Sequence, residues 1–432
     1  MVISSFNLSN LNGANGFTIN GIAAGDYLGY SVSSAGDVNN DGFDDLIIGA
    51  YNADPNGYDS GQSYVVFGSS TGFDATLNLS NLNGTNGFTI NGIAAGDESG
   101  YSVSSAGDVN SDGIADLIIG APNADPNGTD SGQSYVVFGK STGFSSTLNL
   151  SNLNGANGFT INGIAEYDFS GESVSSAGDV NDDGIADLII GASLAFPNGV
   201  TSGQSYVVFG KSTGFDATFN LSTLNGANGF TINGIAEEDY SGYSVSSAGD
   251  VNNDGIADLI IGARYADFNG YSSSGQSYVV FGKNTGFSAT LNLSNLDGTN
   301  GFTINGIAAD DESGVSVSSA GDVNSDGFDD LIIGAYIADP NGSGSGQSYV
   351  VFGNTGFSST LNLSTLNGAN GFTINGIAGN DLSGYSVSSA GDINNDGIAD
   401  LIIGAPGADP NGSESGQSYV LFGVPLVQLL LL

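Results

Sequence analysis

The 432-residue chain carries 45 acidic residues against 4 basic ones, a formal charge of −41, and it contains no His and no Cys. Such a surface repels nucleic acid and anionic lipid and favours cations as counterparts. Without His or Cys there is no Ser-His-Asp or Cys-His pair, no thiolate nucleophile, no His-based zinc site and no disulfide, so hard oxygen ligands are the chemistry that remains.

Residues 1–10 lack a basic segment followed by an apolar one, so no Sec-type signal peptide is expected there. From Phe17 onward the chain reads as short extended runs. Phe17–Ile22 is the first, followed by runs at 30–33, 45–50, 62–68 and 88–93, each rich in Val, Ile, Tyr or Phe. Clusters of Gly, Asn, Asp and Ser, such as Asp54-Pro55-Asn56-Gly57, separate them, and a helical period is nowhere sustained.

The segment Ser-Ser-Ala-Gly-Asp recurs with its Asp at 37, 108, 179, 250, 322 and 392, spacings of 71, 71, 71, 72 and 70 residues. Four strands per unit is a propeller blade, whereas solenoid rungs repeat at about 20–30 residues. The expected fold is therefore an all-β propeller of six four-stranded blades forming one domain over 1–423. Phe-Thr-Ile-Asn-Gly-Ile first occurs at Phe17, ahead of any complete unit, and Ser-Gly-Gln-Ser-Tyr-Val last occurs at Ser415 with no Phe-Thr-Ile run after it. Pairing of strand 17–22 with the last blade is expected to close the ring. The apolar tail 424–432 is far shorter than the roughly 20 residues of a spanning helix, so no membrane insertion is expected and the tail reads as a frayed end or a packing segment.

Each unit contains one nine-residue loop, first Asp37-Val38-Asn39-Asn40-Asp41-Gly42-Phe43-Asp44-Asp45. Oxygen side chains stand at positions 1, 3, 5 and 9, and Gly at 6 permits a sharp turn. Ca²⁺ takes six to eight oxygen ligands in a tolerant geometry, which such a loop supplies with a backbone carbonyl added. Mg²⁺ demands stricter octahedral geometry. The candidate metal ligands are Asp37, Asn39, Asp41 and Asp45; Asp108, Asn110, Asp112 and Asp116; Asp179, Asn181, Asp183 and Asp187; Asp250, Asn252, Asp254 and Asp258; Asp322, Asn324, Asp326 and Asp330; and Asp392, Asn394, Asp396 and Asp400. About six Ca²⁺, one per repeat, are expected. Asx-turns are the plain alternative, but six copies of three close carboxylates would repel one another without a cation. An EF-hand would need Glu at position 12, where this loop has Ile48 inside a strand.

A second acidic column, Asp26, Asp97, Asp168, Asp239, Asp311 and Asp381, suits a turn role, with an auxiliary ligand as the sharper alternative. The Gln of each Gly-Gln-Ser-Tyr, from Gln62 to Gln417, suits a hydrogen bond at the start of a strand. The copies differ after the second strand, where Tyr51, Pro122, Ser193, Arg264, Tyr336 and Pro406 occupy one position. These are candidate partner-reading loops, unless the differences are drift.

The loop and its flanks resemble the FG-GAP repeats of the integrin α-subunit propeller, which also occur in bacterial surface proteins and in a glycosylphosphatidylinositol-specific phospholipase D. The likeness runs from Phe17 to Gly423. The namesake Phe-Gly position reads Gly29-Tyr30, Gly100-Tyr101, Gly171-Glu172, Gly242-Tyr243, Gly314-Val315 and Gly384-Tyr385, and Gly-Ala-Pro survives at 120–122 and 404–406. Integrin propellers have seven blades and only some calcium loops, so the near-identical copies here look more like recently duplicated FG-GAP proteins of bacteria, cyanobacteria among them. The resemblance implies loops that bind Ca²⁺ at one face, with the other face and the rim meeting partners.

The expected function is thus a calcium-binding adhesion or interaction module, extracellular or at the cell surface. It would be a monomeric ring recognising a protein or a polysaccharide and no nucleic acid. A glycan-binding, lectin-like propeller is the alternative, and an accessory domain of a hydrolase is a third. No enzyme activity is expected of the chain itself.

Overall fold

The structure is a computed structural model that describes residues 11–13, 16–410 and 415–424. It begins with β1 (Thr18–Asn20), β2 (Val32–Gly36), β3 (Asp45–Ala50), β4 (Gln62–Val66), β5 (Thr76–Asn78) and β6 (Gly87–Asn91). The same succession recurs along the chain. Six small sheets, one per repeat, make an all-β propeller, and β1 with β5 forms a further two-stranded sheet among the described residues.

Within blade 1 the order is β2, β3, β4, β6, with each neighbour antiparallel. The second strand, Asp-Leu-Ile-Ile-Gly-Ala, has no polar face. In blades 2 to 5 all six of its residues are buried, because a central strand of a blade packs against the blades on both sides. The core consequently lies between blades. One cluster joins Ala35, Val38, Ile47 and Phe88 of blade 1 to Leu117, Ile119 and Tyr135 of blade 2, and comparable clusters fill the next joints. Phe88 stacks on Phe144 at 4.2 Å, and the same stacking recurs in Phe159–Phe215, Phe230–Phe287 and Phe302–Phe357.

The expected four strands per blade need one correction. In blades 1 to 4 a fifth, three-residue strand from the following repeat pairs in parallel with the outer strand, as Thr147–Asn149 does with β6. The sixth blade has three strands among the described residues.

The expected closing pair is also corrected. β1 lies parallel to β5, which is the contact that the next four Phe-Thr-Ile strands make with their own following partners. Its second edge takes no Gln-Ser-Tyr strand among the described residues, and Gln417–Leu421 pairs only with Asp400–Ala405. Apolar side chains at this seam stay open: Val420 is 46% exposed where its counterpart Val136 is 0%. The tail beyond Val424 lies outside the described residues.

Candidate functional site

Each nine-residue loop joins the innermost strand of its blade to the second. The register between the two strands shifts at the last Gly of the first, between Ser34 and Gly36 in blade 1, and this bulge re-aims the chain into the loop. Position 4 adopts a left-handed conformation in all six loops (Asn40, Ser111, Asp182, Asn253, Ser325 and Asn395), as does the Gly at position 6. One backbone path therefore serves every copy.

In blade 2 the N–H groups of Asp112 and Gly113 donate to the two carboxylate oxygens of Asp108, at 3.0 and 2.8 Å, and the Ile114 N–H donates to Asp112 Oδ1 at 3.0 Å. The Asp116 carboxylate is fully buried and accepts the N–H groups of Val109 (3.1 Å) and Gly139 (2.9 Å). Burial pushes its pKa up to about 8; those two N–H groups pull against this, and the charges of Asp112 and Asp108 add to the rise. Asp187, Asp258 and Asp330 are pushed up to about 8 for the same reasons, and Asp45 to about 6. The ninth-position carboxylate thus sits where only a nearby positive charge or a proton would relieve it.

Among the described residues no three Asp or Glu side chains converge as a ready-made metal cluster. The donor set nevertheless fits a hard cation. The Oδ1 atoms of Asn39, Asn110 and Asn324 are buried without a hydrogen-bond partner, at the third position of loops 1, 2 and 5. A carboxylate oxygen that accepts one N–H also keeps a second lone pair. Positions 1, 3, 5 and 9 of each loop, assigned from the sequence, are brought into one turn. The second acidic column takes the turn role instead: Asp97 Oδ2 accepts the Ala94 N–H at 3.0 Å, and Asp168, Asp239, Asp311 and Asp381 repeat the bond. The repeated Gln is equally structural, since Gln133 Nε2 donates to Asn162 Oδ1 at 2.7 Å and the buried Tyr135 hydroxyl donates to Gln133 Oε1 at 2.6 Å.

The opposite ends of the same strands form a second feature. Tyr30, Tyr101, Glu172, Tyr243, Val315 and Tyr385, one from each blade, line a single cavity of about 230 Å³ on the common axis. Tyr30 and Tyr101 pack at 5.0 Å with a hydroxyl–hydroxyl bond of 3.1 Å, and Tyr51 lies edge-on to both. Arg264 lies 3.9 Å above the Tyr243 ring and 4.4 Å above that of Tyr265, and pairs with Glu312 at 3.6 Å. Burial pushes the Glu172 carboxyl up, while its bond from the Ser193 hydroxyl and the charge of Arg264 pull it down. The variable positions read from the sequence as loop differences thus supply Tyr51, Ser193, Arg264 and Tyr336 to this face. Their convergence was not legible, because alignment of the copies gives equivalence and not the direction in which each blade points.

The FG-GAP repeat family matches residues 28–66, 99–137, 170–208, 241–280, 313–351 and 383–421, more than half of the chain and one match per blade. This chain belongs to the FG-GAP repeat family. Each match runs from just before the innermost strand through the nine-residue loop to the third strand, so an FG-GAP repeat here comprises the loop and the three strands that frame it. The chain is 30% identical to integrin alpha-V of Gallus gallus over 253 residues, 57% of this chain and 21% of the integrin. It is 30% identical to integrin alpha-5 of Xenopus laevis over 246 residues, 56% of this chain and 20% of that protein. A phosphatidylinositol-glycan-specific phospholipase D of Dictyostelium discoideum is 28% identical over 329 residues, 71% of this chain and 32% of the enzyme. The FG-GAP chain therefore spans about a fifth to a third of the length of these relatives.

Proposed function

We propose that this FG-GAP propeller is a calcium-loaded interaction module that acts outside the cell and is not itself a catalyst. The observation that carries the calcium reading is the loop repeated six times with one backbone path, in which a buried ninth-position carboxylate recurs close to more exposed acidic side chains and the third-position Asn oxygen is left without a donor in three copies. Ca²⁺ would be held by side-chain oxygens at positions 1, 3, 5 and 9, and its charge would relieve the repulsion. The acidic balance and the integrin relatives support an extracellular setting, in which calcium is abundant. No helix among the described residues is long and apolar enough to cross a membrane.

Partner recognition is assigned to the face that carries the axial cavity, with a protein or polysaccharide as the partner. A glycan has one specific observation in its favour, the tyrosine-lined axial cavity, since aromatic faces with a few convergent polar groups suit sugar rings. A hydrolase accessory role rests only on the phospholipase D relative, and a fold alone does not carry chemistry.

A calorimetric Ca²⁺ titration with thermal unfolding in calcium and in chelator tests the reading. About six ions bound and a higher melting temperature in calcium are expected. An absence of binding heat, with superimposed melting curves, would remove the calcium claim and leave the fold untouched.

A further inference from the structure

The loops touch the next blade. In blade 2 the N–H of Lys140, which follows Phe138-Gly139, donates to the carbonyl of Val38 at position 2 of loop 1, at 2.9 Å. Lys211, Lys283 and Asn354 do the same for Val109, Val180 and Val251 at 2.9 Å, and Val424 for Val323 at 3.1 Å. A second bond joins four of the loops to the following blade: the N–H groups of Ala186, Ala257, Asp329 and Ala399 donate at 3.2–3.3 Å to the carbonyls of Asp108, Asp179, Asp250 and Asp322, the first residue of each loop. Asp329 adds a side-chain bond, accepting the Asp250 N–H at 2.9 Å. The approach is close. A side chain at Gly210 would meet the Val109 carbonyl oxygen at 3.0 Å, and one at Gly282 would meet that of Val180 at the same distance.

Loop 6 has no such neighbour among the described residues. Its second residue, Ile393, is 56% exposed, whereas Val109, Val180 and Val251 are 0% exposed. The clasp thus belongs to the joint between blades and is not a property of the loop sequence alone.

From these joints we infer that the following blade positions the cation loop of the blade before it, so that loading of a loop and docking of the next blade are one coupled event. The inference rests on the calcium reading above. A cation that fixes positions 1 and 3 also fixes the carbonyls of positions 1 and 2, which lie between them on the chain and face the next blade's amides. Lys211, Lys283 and Ala257 are accordingly positioning residues that act through their backbone N–H groups, and Asp329 acts through its carboxylate.

The test is hydrogen exchange on the full chain, with and without calcium, for wild type and Asp183→Ala, each accompanied by a calorimetric Ca²⁺ titration. In wild type, calcium is expected to slow exchange at the Ala257 and Lys283 amides by about tenfold or more. In Asp183→Ala one ion is expected to be lost, and those two amides of blade 4 stay fast in calcium, while Ala186 and Lys211, which serve loop 2, are protected as in wild type. Calcium binding with Ala257 and Lys283 indifferent to loop 3 would overturn the inference and leave the calcium reading standing. No binding to wild type would remove both. Should Asp183→Ala not fold, Asp183→Asn takes its place, and the same two outcomes at Ala257 and Lys283, read against wild type, uphold or overturn the coupling.

Discussion

Carboxylates set the behaviour of single positions in this chain. Burial pushes Asp168, Asp239 and Asp311 up to about 6 from the ordinary 3.8, although each accepts a turn N–H that pulls the other way. Between those values the folded chain holds protons that the unfolded chain has released. The stability these groups contribute is therefore fully present below about pH 4 and is lost as the pH rises through about 6. Asp239→Asn keeps the acceptor for the Ala236 N–H and removes the ionisation. Its urea midpoint is expected to fall less than that of wild type between pH 4 and pH 7, by a difference on the order of 1–3 kcal/mol in unfolding free energy. Equal slopes for both proteins would show that Asp239 does not titrate in this window. The nine-residue loop was legible in the sequence because it repeats six times. The burial of Asp116 and its counterparts was not, since it depends on a neighbouring blade covering the start of the second strand.

At the scale of strands and blades, composition and turn chemistry located the four main runs of every unit, whereas the burial of Asp-Leu-Ile-Ile-Gly-Ala on both faces comes from the blades packed on either side of it. Thr147–Asn149 and its counterparts gave no such signal, because three residues hold too little period to register and their partner lies in the preceding repeat. Counting also placed a sixth joint between Phe17–Ile22 and the last blade, and the structure instead leaves that strand on β5. The two kinds of edge can be told apart by substitution. Val136→Lys would place a charge in a fully buried joint and is expected to prevent folding or to cost several kcal/mol, whereas Val420→Lys, at a position 46% exposed, is expected to change stability by less than about 0.5 kcal/mol. Urea unfolding of the two variants gives the comparison, and equal damage at both sites would mean that the seam is packed like the other joints.

For the whole molecule, negative charge is the governing property. Four basic residues stand against forty-five acidic ones, and of the four, Lys140, Lys211 and Lys283 lie 4.6–4.8 Å over Phe rings while Arg264 lies over the Tyr243 and Tyr265 rings. In chelator the chain repels itself, and monovalent salt screens that repulsion without supplying a ligand. The melting temperature in chelator is expected to rise with NaCl from about 20 mM to about 500 mM, and the rise is expected to shrink once calcium is present. A salt dependence identical in both conditions would mean that calcium does not act on the same charges. Composition made this much legible from the start. The placing of Arg264 among tyrosines on the face opposite the loops was not, because it requires six blades to turn about one axis.

The fifth strand that repeats 2 to 5 each lend to the blade before them has a consequence for how such a chain can change in length. The stretch of sequence that is copied and the body that folds are out of phase: Thr147–Asn149 is translated with the second repeat but completes the first blade. A whole number of repeats can be added or removed without breaking this interlock, since every donor strand still finds an acceptor of the same sequence. A blade cut out by its own visible boundaries would carry one orphaned strand and leave another behind. Variation in copy number is thereby tolerated only in full periods, and the near-identity of the six copies is the condition that makes any of them interchangeable as donor or acceptor.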